Sequence, residues 1–116
     1  MSGELTPERV AELVESASAQ LVDVRTDAEW EAGHVPAAAH IPIERLSAEA
    51  ETLDRSRPVV LYCRSGDRSS AAAEAFAASG WDASSMEGGL VAWAERGLPL
   101  EPEGGAVVER SPLPPD

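Results

Sequence analysis

A single cysteine, Cys63, stands in the stretch LYCRSGDRSS at residues 61–70, directly before Arg64, Ser65, Gly66, Asp67, Arg68 and Ser69. A cysteine attacks as the thiolate, so its neighbours decide whether it reacts. Here an apolar run ends at the cysteine, a short loop containing a glycine follows, and an alanine-rich segment comes next. That order predicts strand, loop and helix, with the thiol at the carboxyl end of a strand, the edge where open α/β sheets bind ligands. The loop leads its backbone N–H groups into the amino end of the helix, where unpaired donors and the helix dipole favour negative charge. Gly66 permits backbone angles that turn several N–H groups inward as an anion-binding nest, and Arg64 and Arg68 add positive charge. Each effect favours thiolate over thiol. Asp67 opposes them if its carboxylate faces the sulfur, and is harmless if it points outward and caps the helix. The plain alternative is a small buried hydrophobe ending a core strand. It accounts for the cysteine and not for the glycine and arginines beside it.

The elements around this loop are readable in outline. LTPERVAELVESA is a predicted helix, with Thr6 as N-cap, Pro7 in the first turn and Val10, Leu13, Val14 and Ala17 at helical spacing. AQLVDVR is a short strand ending in Asp23 and Arg25, which lie beside the cysteine loop and suit a supporting salt bridge better than direct catalysis. A brief helical turn follows, capped by Asp27 and stopped by Gly33, and Pro36 and Pro42 bracket an extended piece around His40. IERLSAEAETLD reads as helix in two pieces, the second capped by Ser47. VVLY, at residues 59–62, is a nearly continuous apolar run of the kind a strand shows when both its faces are covered. Residues 68–79 form a helix ending at Gly80, a weak strand passes through WDASSME, and LVAWAERG is the last helix, entered through Gly88 and Gly89. Strands alternating with helices predict a layered α/β fold. Trp30, Trp81 and Trp93 are expected to fill the core, and His34 and His40 to be structural.

Composition sets outer bounds. A chain of 116 residues with 43% hydrophobic content suits one domain with one core, at residues 1–100. Residues 101–116, rich in proline, glycine and glutamate, read as a flexible tail. A net charge of -12 argues against nucleic acid and anionic membrane surfaces. All nine basic residues are arginine, which reads as codon bias. One cysteine excludes an internal disulfide, and with two histidines it makes no closed zinc site, so no metal or cofactor is expected. With no signal-peptide pattern and no run of transmembrane length, the expected compartment is the cytoplasm, where a lone thiol stays reduced.

Four motifs in order give the chain a family resemblance over about residues 5–100. CRSGDRS resembles the active-site loop of the rhodanese-like, or thiosulfate sulfurtransferase, family; LVDVR resembles its early strand motif, EWEAGHVPAAAHIP its E-aromatic-x-x-GHIPGAxNIP segment, and EGGLVAW its late GG-x-x-AW signature. Ala38 and His40 depart from the usual residues of that segment. The resemblance implies a three-layer α/β/α fold with a small parallel sheet. It implies Cys63 as nucleophile and persulfide carrier, the N–H groups of Arg64 to Ser69 as the cradle of the outer sulfur, and Arg64 or Arg68 as the attraction for a small anionic donor. A thiol, cyanide or a protein would accept the sulfur. Two rivals stand beside it. A cysteine phosphatase or arsenate reductase needs one more residue between cysteine and arginine, and that position here is Ser69; the reductase also needs a resolving thiol, and Cys63 is the one cysteine. A partner-dependent sulfur carrier would use the same cysteine and the acidic surface for docking.

Overall fold

A computed structural model describes residues 3–107. The described residues form one sheet of five parallel strands, β1 (Gly3–Leu5), β2 (Gln20–Asp23), β3 (Ala39–His40), β4 (Val59–Tyr62) and β5 (Ala83–Met86), in the order β1-β5-β4-β2-β3. The helices are α1 (Pro7–Glu15), α2 (Asp27–Ala32), α3 (Leu46–Glu49, between two 3-10 turns), α4 (Asp67–Ala78) and α5 (Gly89–Glu95). The expected α/β fold with a parallel sheet between helices is what forms.

β4 lies at the centre because all four of its side chains are apolar enough to be covered on both faces. Alternation along the strand divides them. Val59, Leu61 and then Cys63 pack with Phe76, Ala72 and Ala73 of α4 and with Leu46 and Trp81. Val60 and Tyr62 pack with Val10, Leu90 and Trp93 on the side of α1 and α5. The thiol therefore emerges on the α4 face, at the end of the central strand. No helix among the described residues is long and apolar enough to cross a membrane.

Several local expectations change. β1 carried no sequence signal, because its three residues are too short to show alternation; it pairs with β5, and Leu5 accepts a hydrogen bond from the Glu87 amide. The cap of α2 is Thr26 and not Asp27: the Thr26 hydroxyl accepts from the Glu29 amide while the Glu29 carboxylate accepts from the Thr26 amide, a reciprocal box that Asp27, one residue later, cannot make. Ser47 lies inside α3 and caps nothing, because the 3-10 turn runs straight into the helix. Trp30 leaves the core and is stacked face to face with His34 at 3.5 Å and His40 at 4.8 Å. Trp81 and Trp93 are buried as expected. Residues 101–107, the start of the expected tail, are hydrogen-bonded to the body: Glu101 exchanges backbone bonds with His34, and the Ala106 amide donates to Ala32. Residues 108–116 lie outside the described residues.

Candidate active site

The N-cap residue of α4 has no side chain with which to cap the helix. It is Gly66, at φ +108, a left-handed conformation that glycine adopts at no steric cost. Asp67 is thus the first helical residue rather than the cap, and it is exposed, pointing outward. The first amides of a helix have no intrahelical acceptor. Here the sulfur supplies one: Cys63 Sγ accepts from the Gly66 amide at 3.1 Å, the Ser69 amide at 3.4 Å and the Ser69 hydroxyl at 3.5 Å. Cys63 does for α4 what an aspartate or serine does at other helix starts, and a negative sulfur does it better than a neutral one. The residue is 1% exposed, yet the groups facing the sulfur are donors and not carbonyl oxygens.

The carbonyls of the loop are turned away by α5. Cys63 O accepts from the Leu90 amide at 2.9 Å, and Arg64 O from the Val91 amide at 3.0 Å. In a trans peptide the N–H points opposite to the C=O, so anchoring these two carbonyls aims the Arg64 and Ser65 amides the other way. The loop can approach α5 this closely because residue 89 is glycine, at φ +60. Ser65 is exposed and Arg64 half-buried.

Arg68 is not an open hand. Its two terminal nitrogens each lie 3.0 Å from a different carboxylate oxygen of Glu29, which is fully buried. Sequence reasoning missed Glu29, although the T-D-A-E pattern of the capping box would have marked it. Burial pushes the Glu29 carboxyl up, but the Arg68 hydrogen bonds, the Thr26 amide, the Arg68 charge and the Thr26 hydroxyl outweigh it and hold the group below its usual range. Burial likewise opposes the Arg68 charge, and Glu29, followed by Cys63 and Asp23, more than restores it. Because the Glu29 value is depressed on folding, its stabilising effect is complete above the ordinary glutamate range and is lost as pH falls through the folded value. Glu29→Gln should cost about 1.5–3 kcal/mol at neutral pH and flatten the acid limb of a plot of melting temperature against pH. A variant whose acid limb matches that of the wild type would contradict the pairing.

Asp23 and Arg25 form the expected salt bridge, fully buried, at 2.7 Å between Oδ2 and Nη2. Arg25 also donates to the Gly33 carbonyl at 2.7 Å, which ties the end of β2 to the end of α2. Next to them the Tyr62 hydroxyl accepts from the Val35 amide, and burial followed by the Asp23 charge pushes its ionisation far above the ordinary range. His34 Nδ1 is bonded to the Trp30 carbonyl and His40 Nε2 to the Arg25 carbonyl, so both rings have structural partners.

The chain matches known proteins along most of its length. A family model described as Rhodanese-like domain matches residues 6–96. The chain is 36% identical over 107 residues to a protein named Sulfurtransferase from Allochromatium vinosum, covering 90% of this chain and 100% of that one. It is 31% identical over 99 residues to thiosulfate sulfurtransferase GlpE of Actinobacillus succinogenes, covering 84% and 89%. Among solved structures, a rhodanese-related protein from Thermoplasma volcanium superposes with a TM-score of 0.78 at 28% identity, over 84% of this chain and 95% of that one.

Proposed function

The chain belongs to the rhodanese-like family, and from that premise we propose that it is a sulfurtransferase working through a persulfide on Cys63. The observation that carries this is the sulfur of Cys63 acting as the cap of α4, held by the amides of Gly66 and Ser69. In the first step the thiolate attacks the outer sulfur of thiosulfate or a related donor. The donor's S–S bond breaks, sulfite leaves with the bonding pair, and Cys63 keeps the outer sulfur as a persulfide anion. In the second step a thiol or cyanide attacks that outer sulfur, and the electron pair of the Cys63 S–S bond returns to Sγ. This is covalent catalysis in two halves, with ping-pong kinetics.

The loop supports both halves. Amides of residues 64–69 can follow the negative charge from Sγ to the outer sulfur, and Gly66 gives the loop its curvature. Arg64 attracts the anionic donor, while Arg68, saturated by Glu29, contributes charge beside the sulfur rather than a hand for the substrate. With Cys63 1% exposed, a donor has to present its sulfur end-on. Asp67 at the rim disfavours doubly charged donors. Asp23 and Arg25 frame the loop without touching the reacting atoms. The chemistry needs a reduced thiol, which suits the cytoplasm. A phosphatase would need an arginine at position 69, where a serine hydroxyl faces the sulfur instead.

Intact mass decides the proposal. After treatment with thiosulfate, the folded protein should gain the mass of one sulfur atom, and added cyanide should remove it as thiocyanate. Folded protein that gains no sulfur and makes no thiocyanate would exclude thiosulfate as donor. Loading that turns over only when a particular protein acceptor is present would make the chain a dedicated sulfur carrier.

A further inference from the structure

Ser85 sits on β5 opposite Leu61 of β4, so its side chain emerges on the same face as Cys63, beneath the first turn of α4. There its hydroxyl lies 2.7 Å from the Ser69 hydroxyl. Ser69 Oγ is in turn 3.5 Å from Cys63 Sγ and 3.3 Å from the Gly66 carbonyl. Ser69 is 0% exposed and Ser85 1%. Buried hydroxyl protons need acceptors, and each serine has one proton to place.

The bond between the two serines can run either way, and the inventory of partners selects one direction. If Ser69 donated to Ser85, the Ser85 proton would have no acceptor, because among the described residues the Ser69 hydroxyl is the partner of that side chain. The sulfur would also lose its hydroxyl donor. If Ser85 donates, its proton is placed on Ser69 Oγ, and the Ser69 proton is released to a second acceptor. The Gly66 carbonyl already accepts from the Ser70 amide at 2.9 Å, and an anionic sulfur attracts a donor more strongly than a neutral carbonyl does. We propose that Ser85 is a positioning residue for the reaction: by donating to Ser69 it commits the Ser69 proton to Cys63 Sγ, which gives the anion a third hydrogen bond beside the two amides.

Such a chain is polarised along its length, so Ser85 strengthens a bond that it does not itself make. On the sulfurtransferase reading, both steps benefit. The resting thiolate is held before it attacks the donor, and the negative charge returning to Sγ when the acceptor takes the outer sulfur is met by the same proton. The charged groups around the sulfur are Arg64 in the loop, Asp67 and Arg68 in the first turn of α4, the latter held by Glu29 from α2, and the Asp23–Arg25 pair at the end of β2. None of them is altered by a change at Ser85.

The test is the rate of alkylation of Cys63 by iodoacetamide as a function of pH, followed by intact mass. Ser85→Ala should react about three- to tenfold more slowly at neutral pH, the worth of one modest hydrogen bond, and reach the wild-type plateau at higher pH. Ser85→Thr and Ser85→Val have equal shape and differ in the hydroxyl, so the threonine variant should follow the wild type and the valine variant the alanine one. In a Ser69→Ala background, Ser85→Ala should change nothing further. A Ser85→Ala profile superimposable on that of the wild type would overturn the proposal, as would equal slowing by threonine and valine or an undiminished effect of Ser85→Ala without Ser69. Alkylation requires no sulfur donor, so failure of sulfur loading would bear on the proposed activity alone.

Discussion

Gly89→Ala is expected to destabilise the protein by about 2–5 kcal/mol, the sum of holding alanine in a left-handed conformation and of overpacking, and to leave Cys63 slow to load with sulfur even at temperatures where the variant is folded. A methyl group at this position would lie 2.5 Å from Arg64 O and 2.6 Å from Cys63 O. Both are backbone atoms, which cannot swing aside as the end of a long side chain can. Relief requires α5 and the loop to separate, and that separation breaks the Leu90 and Val91 hydrogen bonds to the same two carbonyls. Once released, the peptides after Cys63 and Arg64 can rotate, and their amides no longer point where the anion needs them. Gly97→Ala isolates the backbone cost, because Gly97 has a similar φ of +72 and nothing within 4 Å of its added methyl. Chemical denaturation should place Gly97→Ala about 1–2 kcal/mol below the wild type, with Gly89→Ala clearly lower, and thiosulfate loading should be slowed in the second alone. Equal stability of the two variants would show that the loop and α5 are not closely packed.

The same residue shows how far the sequence could be read. Strand, cysteine, glycine and helix were visible in LYCRSGDRSS because each feature is local: an apolar run, a lone thiol, a left-handed glycine and a helix-forming stretch. Gly89 could be given a turn by the same reasoning. That its missing side chain admits the carbonyls of Cys63 and Arg64 depends on residues more than twenty positions away in the chain, and nothing in EGGLVAW states it. Glu29 was hidden in a different way. The capping-box pattern marks it as a partner of Thr26, but its pairing with Arg68, thirty-nine positions away, arises only when the fold brings the two together. Ser85 was hidden most deeply, since a serine in a weak strand has no periodic signal and its meaning comes from parallel register with β4. Asp23 and Arg25, two residues apart at the end of a strand, were legible as a pair because the alternation of a strand puts both side chains on one face.

That pair carries the other large expected effect. Asp23→Asn should lower stability by about 3–5 kcal/mol, the usual cost of removing one partner of a buried ion pair, and the melting temperature by about 10–20 °C. Asp23 Oδ1 accepts from the Arg25 amide and from Nε, each at 2.9 Å, and Oδ2 accepts from Nη2 at 2.7 Å. Asparagine keeps the shape but turns one acceptor into a donor facing a guanidinium. Arginine cannot relieve the conflict by losing its proton, as a lysine or histidine could. Burial disfavours the Arg25 charge, and it is the Asp23 hydrogen bonds and charge that overcome this and raise its pKa. With the carboxylate gone, the cation faces the Gly33 carbonyl and the Tyr62 ring, which lies 5.7 Å from it, and its ion-pair partner among the described residues is lost. Replacing both partners by apolar residues, in Asp23→Leu with Arg25→Met, should be less destabilising than Asp23→Asn alone, because no buried charge is then orphaned. If the pair frames the loop without taking part in the chemistry, the double variant, once folded, should load Cys63 with sulfur at a rate close to that of the wild type. A folded double variant unable to load would instead place Asp23 or Arg25 among the groups that act on the sulfur.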